Sequence, residues 1–265
     1  MIDQPFTLVL LFLLGILTGT IAGILGIGGG LLIVPVLSLW QVSLVQATAT
    51  SLVGVFISAV SGSLQNLLKG NLNWKASLGL ALFGIPTAQL GAWLGDRVSN
   101  SLLAFSFAAL SLVVIYLLDL KQKLKARNQN APEVTEQNGA VPSELRFAPI
   151  AGIGLLAGLL SGLFGVGGGA VMVPLQMLFL NESIKSAVRT SLGAIVAIAA
   201  SGLIQHALNN NVLWKPGIAL AIGGMFGAQF GTRLLPRLPD QLVNFLFRAL
   251  LVLIAIYMVW KGFQS

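Results

Sequence analysis

Six residues recur in this chain in the same order and spacing. Gly23, Gly26, Gly28, Gly29, Gly30 and Pro35 return as Gly162, Gly165, Gly167, Gly168, Gly169 and Pro174. Each of three consecutive glycines costs a helix interior about 1 kcal/mol. The proline removes a helical hydrogen bond nearby. The spacing therefore predicts a helix broken at Gly28–Gly30 and again at Gly167–Gly169. A helix restarting just after either run aims free N–H groups and partial positive charge at the break. Glycine also lets an anion approach the backbone closely. Two such ends would make an anion site without a buried lysine or arginine. The competing reading is that the glycines only let helices cross closely.

Polar residues repeat around these runs. Thr50 and Ser51 match Thr190 and Ser191, and Gln89 matches Gln229. With Pro35 and Pro174 they complete the candidate substrate site. Arg189 stands beside Thr190 where the first copy has Ala49. It either attracts substrate or extends to the membrane interface. His206, the one histidine, is read as an interfacial polar group or as a proton carrier. Arg248, some eight residues into its apolar block, carries the same ambiguity as Arg189. The glycine run is not a nucleotide loop. A dinucleotide fingerprint would need glycine where Leu31 stands, and no lysine follows before Lys69. No catalytic residue, metal site or cofactor is expected: there is no cysteine, one histidine and no acidic pair inside an apolar block.

The segments that carry these residues belong in a membrane. The chain is 56% hydrophobic and only 9% charged, where soluble domains carry about 25% charged residues. No charged residue or histidine occurs over the 65 residues from Gln4 to Leu68, or over the 35 from Phe147 to Asn181. A spanning helix needs roughly 20 apolar residues, so each run holds more than one element joined by short turns. The apolar blocks do not alternate as barrel strands would. The fold class is therefore all-α and polytopic. The net charge of +7 is read as cytoplasmic loops rather than nucleic-acid binding.

The correspondence extends along the chain at an offset of 139, then 140: Ser61 and Gly62 with Ser201 and Gly202, Gln65 with Gln205, Trp74 and Lys75 with Trp214 and Lys215, Arg97 with Arg237. This predicts two repeated transmembrane halves, 1–120 and 148–265, joined by a polar linker at 121–147. Apolar blocks fall at about 6–40, 46–68, 76–95 and 101–119, then at about 149–180, 184–208, 216–235 and 241–260. The first block of each half contains the glycine break, and three further spans follow. The linker opens with Lys121, Lys123, Lys125 and Arg127, which places it in the cytoplasm. If each broken block leaves on the side it entered, the halves are inverted. Lys and Arg then divide 11 inside against 3 outside, with Arg248 left out. Parallel halves give 9 against 5. Inversion is the expected arrangement.

At its doubled glycine–proline motif the sequence resembles the sulfite exporter TauE/SafE family, also called the 4-toluene sulfonate uptake permease family. The likeness continues through Thr50 and Ser51, the Trp–Lys pairs, and Gly227, Ala228, Gln229 and Gly231. It implies a multi-pass transporter of the inner or plasma membrane, handling small sulfur-containing anions such as sulfite, sulfonates or sulfoacetate. The expected partners are a small anionic substrate, the lipid bilayer and a coupling ion, H+ or Na+, with no nucleic acid. The oligomeric state is left open. The alternative is an intramembrane enzyme or a membrane scaffold; the missing catalytic groups weigh against the first and the duplicated helix breaks against the second.

Overall fold

A computed structural model describes residues 4–127 and 147–264. Most of the expected linker, residues 128–146, lies outside the described residues. The described chain is helical, without strands. Eight of its helices are long and apolar enough to cross a membrane, and two shorter apolar helices follow the glycine runs.

Helix α1, Pro5–Leu25, starts with proline in its first turn, where the missing N–H costs nothing. It stops at Gly26, whose left-handed backbone returns its N–H to Ala22 at 2.7 Å. Gly28 and Gly29 also have positive φ, 74° and 87°, a region costly for residues with a Cβ. Helix α2, Gly30–Leu39, begins directly after them. Pro35 lies inside α2, so the glycines make the break and the proline does not. Helices α3, Leu44–Leu68, and α4, Trp74–Gly95, are capped by Ser43 and Asn73. Helix α5 spans Asn100–Arg127 and so continues through the basic start of the expected linker.

The remaining elements follow the same plan. Helix α6, Phe147–Phe164, begins at the last residue of the expected linker and ends at left-handed Gly165. Helix α7, Gly169–Phe179, contains Pro174. Helices α8, Ile184–Leu208, and α9, Trp214–Leu234, lead through a short 3-10 turn, Leu235–Arg237, into α10, Asp240–Gln264.

Small residues decide the packing. Gly15, Gly19 and Gly23 lie one turn apart on α1 and touch the backbone of α9 around Gly224, Ala228 and Gly231. Gly154, Gly158 and Gly162 on α6 meet α4 at Leu80, Gly84 and Ala88. Without side chains in the way the backbones approach closely, which is how helices associate in lipid. Helices α3 and α8 are the most buried of the long helices. They cross in opposite directions, with Leu52 near Gly202 and Leu192 near Gly62. Helices α5 and α10 are also antiparallel. Phe105 meets Phe263 edge-on at one end, and Asp119 pairs with Arg248 at 2.5 Å toward the other.

Serine hydroxyls tie the inner helices to their neighbours. Ser61 donates to the Met225 carbonyl and Ser201 to the Ile85 carbonyl, both at 2.8 Å. Both donors and acceptors are separated by 140 residues.

Candidate functional site: the crossing of two glycine breaks

The two breaks lie against each other. A methyl group on Gly30 would overlap the carbonyl oxygen of Gly165 and reach within 2.8 Å of the Val166 Cα. One on Gly169 would overlap the Gly26 carbonyl and reach within 2.8 Å of the Ile27 Cα. Segments 26–30 and 165–169 therefore cross in opposite directions. Val55 and Ile195, each midway along a 25-residue helix, flank Gly28 and Gly167 from both sides. Each break needs left-handed backbone at three positions: Gly26, Gly28 and Gly29 in one, Gly165, Gly167 and Gly168 in the other. The crossing is buried throughout.

Hydroxyl groups meet this crossing unequally. Ser51 donates to the Gly165 carbonyl at 2.8 Å and to the Thr48 carbonyl at 2.7 Å. Its counterpart Ser191 instead accepts from Nε2 of Gln176 at 2.7 Å. Gln176 is fully buried, also donates to the Met172 carbonyl, and leaves its Oε1 without a protein partner among the described residues. Leu37 stands at the matching place of α2. The sequence reading passed over Gln176; its signal was one amide inside an otherwise apolar helix.

The candidate residues divide by position. Gly28, Gly29, Gly30, Gly167, Gly168, Gly169 and Ser51 are at the crossing. Pro35 and Pro174 sit farther along α2 and α7, buried in the core. The Thr50 hydroxyl accepts from the Leu213 backbone N–H at 3.0 Å, at the turn before α9. The Thr190 hydroxyl is buried with no partner among the described residues, while its carbonyl accepts from Ser77 at 2.9 Å. Gln89 and Gln229 are exposed on the outer faces of α4 and α9, apart from the crossing. On α8 it is Val188 that faces Gly26. Arg189 is half-buried on the adjacent face, where Gly193 one turn later abuts Leu72 and Ser77.

Two other residues raised by the sequence have defined surroundings. His206 stands two residues before the end of α8, buried against protein, with Nε2 3.0 Å from the Gly162 carbonyl. Arg248 is paired with Asp119. Among the described residues no group of three His, Cys, Asp or Glu could hold a metal.

The model of the sulfite exporter TauE/SafE family matches residues 11–258. The chain is 27% identical over 270 residues to the "Probable membrane transporter protein YunE" of Bacillus subtilis, covering 97% of this chain and 99% of that one. It is 28% identical over 256 residues to a "Probable membrane transporter protein" of Xylella fastidiosa, covering 95% and 94%. A "Probable membrane transporter protein" of Haemophilus influenzae is 28% identical over 283 residues, covering 97% and 100%. No solved structure matches. With eight helices able to span a bilayer, buried glycine breaks after two of them and a family match over nearly its whole length, the chain belongs to the sulfite exporter TauE/SafE family of membrane transporters.

Proposed function

We propose that this protein is a secondary transporter of a small, sulfur-containing anion such as sulfite or a sulfonate, bound where the two glycine breaks cross. The observation that carries this reading is the contact of Gly30 with Gly165 and of Gly169 with Gly26. Helices α2 and α7 both start at that contact. A helix N-terminus is equivalent to about half a positive charge. Two together approach one unit charge, enough to balance a monovalent anion without a buried cation. Non-helical backbone at membrane depth is tolerated where protein surrounds it or a cavity adjoins it. Broken helices at matching places of two halves are the usual mark of a transport site.

The binding groups in this reading are the backbone N–H groups around Gly28–Gly30 and Gly167–Gly169, with Ser51, Ser191 and Gln176 beside them. Thr50, Thr190 and Arg189 would act from farther along α3 and α8. The halves, 1–120 and 148–265, are related by inversion. Support for this comes from α3 against α8 and α5 against α10, counterparts at an offset of 140 that run antiparallel. The linker at 121–147 is cytoplasmic in the inner or plasma membrane, as its basic approach favours.

The test is uptake of radiolabelled sulfite or a short alkanesulfonate into proteoliposomes, with empty liposomes as control. Gly29→Val and Gly168→Val should insert normally yet lose most of the flux. Wild-type flux in both variants would reduce the glycines to packing features and move the site elsewhere.

A further inference from the structure

We propose that His206 and Asp96 form a proton-binding site that couples proton movement to the anion transport inferred above, on which this inference rests. His206 is the chain's one histidine, and its side chain is fully buried. Its Nε2 lies 3.0 Å from the Gly162 carbonyl oxygen, which can only accept, so this nitrogen carries a proton. Its Nδ1 has no hydrogen-bond partner among the described residues. The atom it faces is Oδ1 of Asp96, at 4.0 Å.

In the neutral Nε2–H form the ring turns a lone pair toward a carboxylate. A proton taken up from water onto Nδ1 makes that nitrogen a donor and leaves an imidazolium opposite the negative Asp96, a neutral pair. Closing the gap by about 1 Å would give a charge-assisted hydrogen bond. The carboxylate is already positioned for this, since the side-chain amides of Asn209 and Asn211 both donate to it, the latter at 2.5 Å.

The same ring reaches the transport site. Gly162 precedes by three residues the left-handed Gly165, whose carbonyl accepts from Ser51 and against which Gly30 packs. A proton on His206 thus acts on the end of α4 through one nitrogen and on the broken helix α6 through the other. Charged groups nearby are few. Helix α4 contributes Asp96 and then Arg97, whose guanidinium stacks 3.5 Å over Trp93. Helices α6 and α3 contain no charged residue, and the turn after α8 carries Asn209 and Asn211 before Lys215 opens α9. At an offset of 140 the first half has Asn66 for His206, and the second has Pro236 for Asp96. Neither counterpart titrates, so the pair is not something the shared architecture requires. It lies at the ends of α4 and α8, on the face opposite the end of α5 that leads to the linker.

The test has two arms. Histidine-selective 15N labelling in nanodiscs gives one imidazole to follow, without assignment. Nδ1 should take up a proton somewhere between about pH 4 and 9, a window that brackets histidine titration, and Asp96→Asn should displace that midpoint. A ring that stays in the neutral Nε2–H form from pH 4 to pH 9 overturns it. In the second arm, proteoliposomes holding a pH dye report protons moved per alkanesulfonate carried. The ratio should fall at least tenfold in His206→Gln, whose amide can still donate to Gly162. A wild-type ratio in that variant overturns the coupling. Absence of anion flux in the wild-type protein would instead refute the proposed function, and the labelled imidazole would then decide the proton site alone.

Discussion

Gly30, the first residue of α2, rests on the backbone of Gly165, the left-handed residue that ends α6. The reciprocal contact joins Gly169 to Gly26. Each break is thus held in place by the other, and the pair can be tested by adding single methyl groups.

Gly30→Ala and Gly169→Ala should each abolish most transport and lower stability, because the new methyl meets a carbonyl oxygen rather than a movable side chain. Overpacking of this kind costs about 1–3 kcal/mol. Gly152, exposed on α6 with nothing within 4 Å of an added methyl, is the control. Gly152→Ala should be neutral or stabilise by up to about 1 kcal/mol through helix propensity. Thermal unfolding in detergent with a flux assay checks all three; equal behaviour of the three variants would contradict the crossing.

Gln176→Leu should separate binding from folding. It installs the residue found at the matching place of α2 and removes a buried amide whose Oε1 has no protein partner among the described residues. Stability should hold or rise, while anion affinity should drop severalfold. Ser51→Ala should instead lose about 1 kcal/mol of stability, since a buried bond to the Gly165 carbonyl disappears. Parallel melting curves and concentration-dependent uptake distinguish the two.

The chain lacks cysteine, so single introduced thiols report topology without background. A cysteine at Asn130 should react with an impermeant maleimide only in inside-out vesicles. One at Asn100, at the start of α5, should react only in right-side-out vesicles. The reverse pattern would invert the proposed orientation.

Asp119→Asn should destabilise the contact of α5 with α10, because Arg248 keeps its charge and its Nε and Nη2 are already buried without partners among the described residues. Both side chains are partly exposed, 44% and 26%, so the pair contributes on the order of 1 kcal/mol or less. A double-mutant cycle with Arg248→Gln measures the coupling, and strict additivity would mean that the pair is worth nothing.

The sequence alone determined much of this molecule. Long uncharged runs leave a chain no soluble option, and three adjacent glycines cannot hold a helix, so the all-α membrane class and both break positions were legible in residue types. The family was legible too, because its doubled glycine–proline motif is local. Only the tertiary structure decided which residues meet. Gln89 and Gln229 repeat as faithfully as Ser51 and Ser191, yet they point outward, since repetition fixes a position along the chain and not the face of a helix. Gln176 and Asp96 have no counterparts at the matching positions and so were not singled out; they become notable only because α7 meets α8, and because α4 ends beside His206. Gly15 and Gly19 read as ordinary small residues until α9 is placed against them. Contacts between helices more than a hundred residues apart depend on packing geometry, and that geometry is set by the assembled bundle rather than by any local stretch of sequence.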